Sequence, residues 1–252
     1  MRKVAIITGA TGGIGRTFTD RINSYDEIDE IWAVGRNADK LELLRQKYIK
    51  VVPVQAYLSE GGADVLRAKI EAEQPDIRML INNAGLAHMG LYRDMDPAFV
   101  EKMCNVNCTA TAVLTSVCIP HMKKGARILN VSSASSFQPN PYLCLYSSSK
   151  VFVKYYSRAL NLELKGDGIS VTAVCPGWVD TGMLPKERSG KKIRYSGMIS
   201  ADKVVDTALK DSLKGKDMSV PGFFAKYFRL YSKYTPTALV MRQWAAATRK
   251  YI

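Results

Sequence analysis

The chain has 252 residues, of which 47% are hydrophobic and 23% are charged. These values are typical of globular domains and exclude intrinsic disorder, a collagen-like repeat and a small disulfide scaffold, while the length suits one α/β domain. The net charge of +13 favours anionic partners such as a phosphorylated cofactor, an acyl carrier, an acidic lipid or nucleic acid, without choosing among them.

The cysteines and the amino terminus indicate the cellular setting. Five cysteines without a CxxC pair, and two histidines, give no pattern of zinc ligands, so no metal site is expected. Unpaired cysteines in apolar segments favour a reducing cytosol. The chain enters a strand-like run at Val4, and no stretch of about 18 uninterrupted apolar residues follows, so neither a secretory signal nor a spanning helix is expected. We expect a cytoplasmic protein, with attachment to a membrane surface as an alternative.

Short apolar runs alternate with longer helical patterns along the chain. This alternation predicts an α/β fold: a single doubly wound, Rossmann-type parallel sheet of about seven strands with helices on both faces. The predicted strands are Lys3–Thr8, Glu30–Val34, Val51–Gln55, Met79–Asn82, Ala126–Val131, Ser170–Cys175 and Met218–Val220. The predicted helices are Gly13–Ser24, Ala38–Tyr48, Gly61–Glu73, Pro97–Ile119, Cys144–Lys165 and Ala201–Leu213. We expect one domain over residues 1–252, with a substrate loop at 182–200 and a C-terminal helical extension at 221–252.

A glycine-rich turn follows the first predicted strand and opens the first helix. Glycines let the backbone approach a pyrophosphate, and the helix N-terminus offers free N–H donors and a positive dipole end. An ordinary tight turn is the alternative, but the strand before it and the helix after it favour nucleotide binding. The predicted contacts are Gly9, Thr11, Gly12, Gly13, Ile14 and Gly15.

The spacing of this turn is TGxxxGxG rather than GxGxxG, and further motifs follow in order. They are Asn82-Asn83-Ala84-Gly85, Asn105-Val106-Asn107, Val131-Ser132-Ser133, Tyr146-Ser147-Ser148-Ser149-Lys150 and Pro176-Gly177-Trp178-Val179-Asp180-Thr181. On these motifs the chain resembles the short-chain dehydrogenase/reductase family over most of its length. The resemblance implies an oxidoreductase that uses a nicotinamide cofactor.

The end of the second strand indicates which nicotinamide cofactor binds. An NAD enzyme usually has a carboxylate there for the ribose 2′-hydroxyl, whereas this chain has Gly35 followed by Arg36. An arginine can hold a 2′-phosphate by charge-assisted hydrogen bonds, and in the family that the chain resembles this arrangement goes with NADP(H). Arg36 is therefore predicted to bind the phosphate, with Arg16 and Lys40 as further candidates. The alternative is that Arg36 is a solvent-facing charge.

The resemblance also implies further cofactor contacts. Adenine is expected to rest against Leu58 or Tyr57, because the aspartate that many relatives carry at this place is absent. Asn82 is expected to shape the turn beside the adenosine, and Asn83 to stabilise the strand. Thr181 is expected to hydrogen-bond the carboxamide. The remaining implied contacts are Ala84, Gly85, Tyr146, Lys150, Pro176, Gly177 and Val179.

Reduction of a ketone leaves negative charge on oxygen, so the site needs a proton donor and a polarising hydrogen bond. Tyr146 and Lys150 stand at i and i+4 and share one helix face. By resemblance, Tyr146 is the acid/base, and Lys150 lowers the pKa of Tyr146 and binds the ribose. Ser133 is expected to hydrogen-bond the substrate oxygen, in preference to Ser132. Asn107 is expected to hold a water in the proton relay, with a helix-bending polar residue as the alternative.

The substrate end is predicted from two variable segments. Residues 182–200 would form a loop over the substrate, apolar at Met183, Leu184 and Met198, with a basic rim. The opposing wall would come from residues 138–143. These features suit a small hydrophobic carbonyl compound with an anionic end, and a β-ketoacyl thioester, a sterol and an aliphatic ketone all remain open. The basic rim is Lys186, Arg188, Lys191, Lys192 and Arg194, and the wall is Gln138, Pro139, Tyr142 and Leu143.

The tail from Phe223 to Pro236 mixes aromatic and basic residues, and a second helical piece, Thr237–Tyr251, follows. Such a composition suits peripheral contact with a membrane, an amphipathic helix over a lipid-like pocket, a subunit interface or packing at the domain edge. The sequence does not decide among these uses.

We interpret the chain as an NADPH-dependent reductase of a hydrophobic ketone or aldehyde. By resemblance it is expected to form a homodimer or homotetramer through the helices that contain Asn107 and Tyr146. The alternatives are an NADP(H)-sensing protein without turnover and a membrane-surface binding protein. Nucleic acid is not an expected partner.

Overall fold

The computed structural model describes residues 1–182, 184, 187–188, 191–193 and 195–249. Strands and helices alternate in these residues as the sequence predicts. The strands are β1 (Lys3–Thr8), β2 (Glu30–Gly35), β3 (Val51–Gln55), β4 (Asp76–Asn82), β5 (Arg127–Val131), β6 (Ser170–Val174), β7 (Glu187–Arg188), β8 (Lys191–Lys192) and β9 (Met218–Ser219). The helices are α1 (Gly13–Asn23), α2 (Ala38–Lys47), α3 (Ala63–Glu73), α4 (Pro97–Cys104), α5 (Ala110–Cys118), α6 (Cys144–Glu163), α7 (Ala201–Leu213), α8 (Phe223–Tyr234) and α9 (Thr237–Thr248).

Seven of the described strands form one parallel sheet in the order β3-β2-β1-β4-β5-β6-β9, which confirms the predicted doubly wound fold. In the pairing register, Thr8 of β1 lies opposite Val34 of β2, and Ile7 of β1 lies opposite Ile81 of β4. The carboxyl ends of these strands therefore meet at one edge of the sheet. The direction of winding reverses between β1 and β4, and open α/β sheets bind ligands at the carboxyl edge beside such a reversal.

Alternating side chains of the central strands build two apolar layers, because successive residues of a strand face opposite sides. Ala5 and Ile7 of β1 pack on the side covered by α1, α2 and α7. Val4 and Ile6 of the same strand pack on the side covered by α3, α5 and α6. All four are fully buried, so the sheet is a central layer between two helical layers, and the carboxyl edge stays open for a site.

The helix predicted over Pro97–Ile119 is present but is not uniformly α-helical. A π-helical turn, Asn105–Thr109, joins α4 to α5. Among the described residues, the segment Pro97–His121 is long and apolar enough to cross a membrane by length and composition. Leu114 and Cys118 of this segment are buried in the core against the sheet, which accounts for its apolar character as that of a core helix.

The predicted C-terminal extension folds back onto the carboxyl edge of the sheet. Ala225 of α8 is buried with Ala134, Cys175 and Val220, and Val240 of α9 is buried as well. The two helices therefore form part of the domain and stand over the edge where a site is expected.

Candidate active site

The turn between β1 and α1 lines a cleft at the carboxyl edge of the sheet. Gly9 has a φ of +65°, which favours glycine. A β-carbon at Gly15 would lie only 2.2 Å from the carbonyl oxygen of Gly9, so the helix packs directly against the turn. No described side chain caps α1 at Gly12, and its first turn carries no acidic residue. The positive end of the helix is thus open to an anion in the cleft.

Five of the six predicted contacts of this turn line the cleft. Gly15 does not, because it lies behind the turn, where its lack of a side chain permits the close packing. The five lining residues are Gly9, Thr11, Gly12, Gly13 and Ile14.

The two asparagines at the carboxyl end of β4 lie where the other one was expected: Asn82, the last residue of the strand, points into the core, and Asn83, directly after it, lines the cleft. Asn82 is buried, and its Nδ2 donates to Thr115 Oγ1 at 3.0 Å and to Asn130 Oδ1 at 2.8 Å. Asn83 lines the cleft, and its Nδ2 donates to the Thr8 carbonyl oxygen at 3.0 Å. Asn82 therefore does not reach the cleft as a cofactor contact, whereas Asn83 lies in the cleft wall and holds the glycine turn. The predicted contacts Ala84 and Gly85 also line the cleft.

Gly35 and Arg36, at the end of β2, lie at the rim of the cleft. Arg36 is exposed and forms no ion pair with a described residue, and the Nε2 of Gln55 donates to its carbonyl oxygen at 3.1 Å. The side chain is free to meet a phosphate. The helper candidates Arg16 and Lys40 are exposed and do not line the cleft.

The segment after β3 resolves the choice between two neighbouring residues at the adenine end. Leu58 lines the cleft together with Ala56. Tyr57, which lies between them, is exposed outside the cleft. The structure therefore places Leu58, and not Tyr57, where an adenine ring is expected.

The consecutive serines after β5 point in different directions. Ser132 is buried, and its Oγ donates to the main-chain carbonyl oxygen of Lys150 at 2.7 Å. The Oγ of Ser133 accepts from the N–H of Ser135 at 3.1 Å, and the Ser133 side chain lies in the cleft beside the Tyr146 phenol, whose pKa it lowers. This arrangement supports Ser133 over Ser132 as the residue that meets a substrate oxygen.

Tyr146 and Lys150 lie one turn apart on α6, and both line the cleft. The Nζ of Lys150 lies 5.6 Å from the centre of the Tyr146 ring and donates to the Val131 carbonyl oxygen at 2.8 Å. Burial lowers the pKa of Lys150 to about 8. Burial also raises the pKa of Tyr146, and the nearby Ser133 side chain acts in the opposite direction. The expected lowering of the Tyr146 pKa by Lys150 is therefore corrected: the ammonium is directed to Val131, and burial of the phenol dominates.

Asn107 sits in the π-helical turn, behind the cleft wall. Its Nδ2 donates to the Leu86 carbonyl oxygen and to Ser149 Oγ, both at 2.9 Å, and its Oδ1 accepts from the N–H of Leu86 at 2.8 Å. A β-carbon at Gly85 would lie 3.4 Å from Lys150 Nζ and 3.5 Å from Asn107 Oδ1. Asn107 thus lies close to Lys150 without lining the cleft, and its role in a water relay stays a prediction. The π turn and the amide also fit the helix-bending alternative.

The segment after β6 forms the facing wall. The Pro176 carbonyl oxygen accepts from the N–H of Ala134 at 2.7 Å, which ties this segment to the turn after Ser133. A β-carbon at Gly13 would lie 2.9 Å from Thr181 Cγ2, so Thr181 packs beside the glycine turn. The predicted contacts on this wall, all of which line the cleft, are Pro176, Gly177, Val179 and Thr181.

The cleft has a volume of about 1050 Å³ and ends in a group of aromatic rings. The rings of Trp178 and Tyr195 lie 4.9 Å apart, and Trp178 stacks on Trp244 at 6.3 Å. Trp244 also donates from Nε1 to the Pro141 carbonyl oxygen at 3.0 Å. Three further rings come from α8: Phe224, Phe228 and Tyr231. The C-terminal helices therefore form a wall of the site.

A model of the short chain dehydrogenase family matches residues 3–192. The chain belongs to the short-chain dehydrogenase family. Its glycine turn and its serine, tyrosine and lysine therefore lie within the family match.

This short-chain dehydrogenase resembles curated proteins of more than one kind. It is 32% identical over 191 residues to the very-long-chain 3-oxoacyl-CoA reductase of Anas platyrhynchos, a match that covers 71% of this chain and 60% of that protein. It is 30% identical over 189 residues to the inactive hydroxysteroid dehydrogenase-like protein 1 of Homo sapiens, covering 71% of this chain and 56% of that protein. The chain thus matches little more than half the length of these relatives.

Among solved structures, this short-chain dehydrogenase is similar to a short-chain dehydrogenase from Sphingobium yanoikuyae in complex with NADPH. The TM-score is 0.78 at 27% identity, and the match covers 92% of this chain and 93% of the other. The shared architecture therefore extends beyond the family match and includes most of the C-terminal region.

Several residues that line the cleft could not be assigned a role from the sequence. Trp178 lies inside one of the family motifs, yet the motif implies no role for it, and His88 lies outside the motifs although it lines the cleft beside Leu86. The aromatic composition of the tail is the available signal for Phe228 and Trp244, but composition does not show which side of a helix meets the cleft.

The predicted substrate loop is only partly described. Leu184 lines the cleft as expected, whereas Met198 is exposed and does not. On the opposing wall, Gln138 and Leu143 line the cleft, and Pro139 and Tyr142 do not. Met183, Lys186 and Arg194 lie outside the described residues, as do the side chains of Arg188, Lys191 and Lys192.

Proposed function

We propose that this short-chain dehydrogenase reduces the carbonyl group of a bulky hydrophobic substrate to an alcohol, with NADPH as the hydride donor. The observation that carries the proposal is that the side chains of Ser133 and Tyr146 lie beside each other in the cleft that also contains the uncapped start of α1. A proton donor and an anion-binding turn in one cleft are the two requirements of such a reaction.

The residues of the cleft fit NADPH. The open N-terminus of α1 suits a pyrophosphate, and the space at Gly15 is too small for a β-carbon, which keeps the turn tight. At the other end of the nucleotide, β2 ends at Gly35 without a carboxylate, and Arg36, which pairs with no described acidic residue, offers a charge for a 2′-phosphate. A carboxylate at this position would repel that phosphate.

A bound NADPH would supply the hydride. The chain itself would hold the carbonyl oxygen between the Ser133 hydroxyl and the Tyr146 phenol, and Tyr146 would donate its proton as negative charge grows on that oxygen. Because burial raises the pKa of Tyr146, the phenol stays protonated at neutral pH, which suits an acid in the reductive direction. Lys150, charged at neutral pH with a pKa of about 8, would provide a cation beside the reacting groups.

The lining of the substrate end supports a bulky and hydrophobic carbonyl compound. Trp178, Tyr195 and Trp244 form a wall of ring faces, which suits flat apolar surfaces. A 3-ketoacyl group and a ketosteroid both remain candidates, in keeping with the names of the curated relatives. An anionic end of the substrate is proposed from the basic loop sequence, which is largely outside the described residues.

We also propose that the protein forms a homodimer or homotetramer. The side chains of Phe152, Tyr155 and Leu162 on α6 are exposed, and the Phe152 ring stacks on Tyr156 at 5.7 Å. An exposed apolar face on the helix that carries Tyr146 supports contact with a second copy.

Cofactor affinity tests whether NADPH is the cofactor and whether Arg36 binds its 2′-phosphate. Fluorescence titration with NADPH and NADH should show a strong preference for NADPH in the wild type, and Arg36→Ala should lose about tenfold or more in NADPH affinity while NADH binding changes little. Arg93→Ala is the matched control, because Arg93 is an exposed arginine that does not line the cleft. Equal binding of the two cofactors in the wild type would refute NADPH dependence.

Turnover tests whether the protein reduces ketones with Tyr146 as the proton donor. It also distinguishes a reductase from a protein that only binds the cofactor. With bulky hydrophobic ketones, the wild type should oxidise NADPH, and Tyr146→Phe should lose about 10³-fold or more in kcat with NADPH affinity retained. Full activity in Tyr146→Phe would disprove the proton-donor role. NADPH binding with no turnover on any ketone would favour the non-catalytic alternative.

A further inference from the structure

Helix α8 presents apolar side chains on two opposite faces. On the inner face, Phe224 and Phe228 line the cleft. On the outer face, Phe223 is 85% exposed, and the next apolar residues at helical spacing are also exposed. These are Tyr227 at 56%, Leu230 at 56% and Tyr234 at 74%. Their spacing of four, three and four residues puts them in a single row, which we call the outer stripe.

The charged residues around the outer stripe are basic. Lys226, Arg229 and Lys233 are exposed on the same helix, and Lys233 Nζ lies 5.1 Å from the centre of the Tyr234 ring. The sequence from Met218 to Ile252 contains no aspartate or glutamate. A protein partner for this face would have to be acidic and apolar at once, whereas an anionic lipid surface combines both properties.

We infer that the outer stripe of α8 docks the protein on the surface of an anionic lipid bilayer. Phe223 and Leu230 would enter the boundary between headgroups and acyl chains, and the tyrosines would lie at headgroup level, where rings with a polar tip are favoured. Lys226 and Lys233 flank the stripe and would pair with lipid phosphates while their methylene stems follow the apolar surface. The net charge of +13 acts in the same direction.

The geometry gives this docking a consequence for the site. Phe228 lines the cleft from the far side of the same helix, so one helix diameter, about 10 Å, separates the lipid surface from the substrate end of the cleft. A docked protein thus meets hydrophobic compounds where they are concentrated. The inference concerns where the protein binds and does not require that it be a reductase.

Vesicle flotation tests the inference. The probes are vesicles of phosphatidylcholine alone and of phosphatidylcholine mixed with phosphatidylglycerol, with the full chain. The wild type should float with the mixed vesicles at least about tenfold more than with the neutral ones, and high salt should reduce the difference. Absence of binding to the mixed vesicles would overturn the inference.

Paired variants locate the binding surface. Phe223→Ser/Leu230→Ser and, separately, Lys226→Gln/Lys233→Gln should each lose about tenfold in vesicle binding. The apolar control is Leu43→Ser/Ile49→Ser, two exposed residues near the β3 edge of the sheet, and the charge control is Lys210→Gln/Lys214→Gln on α7 and its C-terminal end. Both controls should bind as the wild type does. Melting curves and NADPH titration check that every variant is folded.

Two further outcomes would overturn the inference. One is vesicle binding by both α8 variants at the wild-type level. The other is conversion of a wild-type dimer to monomers by the stripe variant, measured by light scattering, since a second copy would then cover this face. If the wild type binds vesicles but reduces no ketone, the docking stands and the proposed function fails. If it reduces ketones but does not bind anionic vesicles, the proposed function stands and the docking fails.

Discussion

The ammonium group of Lys150 donates a hydrogen bond of 2.8 Å to the main-chain carbonyl oxygen of Val131, the last residue of β5. The lysine is buried and forms no ion pair with a described residue. An unpaired buried cation is unfavourable, and this is why burial lowers the pKa of Lys150 to about 8. The site therefore holds a charge at a cost to the stability of the fold.

Replacement of Lys150 by methionine should stabilise the protein and inactivate it. The lowered pKa corresponds to a penalty of up to about 3 kcal/mol at pH 7, and loss of the hydrogen bond to Val131 offsets about 1 kcal/mol of the gain. We expect the free energy of unfolding of Lys150→Met to exceed that of the wild type by about 2 kcal/mol in urea titrations at pH 7. A lower value would contradict the assigned penalty.

The pH dependence of the same comparison checks its cause. Between about pH 8 and 10.5 the unfolded wild type keeps the proton on Lys150 while the folded protein releases it, so wild-type stability rises with pH in this window. The advantage of Lys150→Met should therefore shrink as pH rises and be nearly gone at the upper end. Lys210→Met, at an exposed position, should show no such trend.

The neighbouring serines offer a matched pair of variants. Ser133→Ala removes the hydroxyl beside the Tyr146 phenol, and kcat should fall about 10²-fold with little change in melting temperature. Ser132→Ala removes a buried hydrogen bond to the Lys150 carbonyl oxygen, and the free energy of unfolding should fall by about 1 kcal/mol with a smaller effect on kcat. Steady-state kinetics and thermal melts distinguish them, and a reversed pattern would assign the substrate contact to Ser132.

The glycine turn offers a second pair. A β-carbon at Gly15 would lie 2.2 Å from the Gly9 carbonyl oxygen, so Gly15→Ala should displace the turn, destabilise the fold by about 1–3 kcal/mol and weaken NADPH binding about tenfold or more. Gly12 has a φ of −133°, and a β-carbon there would have no described neighbour within 4 Å, so Gly12→Ala should leave stability within about 0.5 kcal/mol of the wild type. Equal stability of the two variants, by thermal melts, would show that the close approach is absent.

The aromatic end of the cleft predicts a substrate-dependent effect. Trp244→Ala removes a ring that stacks on Trp178, so kcat/KM for a bulky ketone should fall about tenfold or more, whereas a small ketone should be little affected. Tyr92→Ala, at an exposed ring outside the cleft, is the control. If Trp244→Ala lowered kcat/KM equally for both ketones, the ring would not set substrate size.

The strands of the central sheet were predictable because their apolar runs alternate with segments of helical spacing, whereas the short strands β7 and β8 lie in the segment 182–200 that was expected to be a loop. The resemblance of the motifs to the short-chain dehydrogenase/reductase family also implied that Ser133, Tyr146 and Lys150 share one site, and all three line the cleft. What could not be predicted depends on orientation. Asn82 and Asn83 occupy opposite sides of the sheet end, and only the strand register shows which one reaches the cleft.

The direction in which a side chain points also decides the pKa of Tyr146 and the side of the C-terminal helices that meets the cleft, and the sequence does not show that direction. The distance from Lys150 to Tyr146 along the helix suggested that the ammonium would lower the pKa of the phenol, but the bond to Val131 depends on a strand far away in the sequence. In the tail, composition indicated an apolar contact. The inward face of α8 and the ring of Trp244 became part of the site only through the folded path of the chain.

The C-terminal helices supply part of the cleft lining, although they lie outside the segment that the family model matches. The family match ends at residue 192, whereas Phe224, Phe228, Tyr231 and Trp244 all lie beyond it. The aromatic lining of the cleft thus comes from two parts of the chain, with Trp178 inside the family match and these four residues beyond it. A chimera that exchanges the segment after β9 for that of another member would be expected to acquire the donor's substrate range and keep the recipient's nucleotide site.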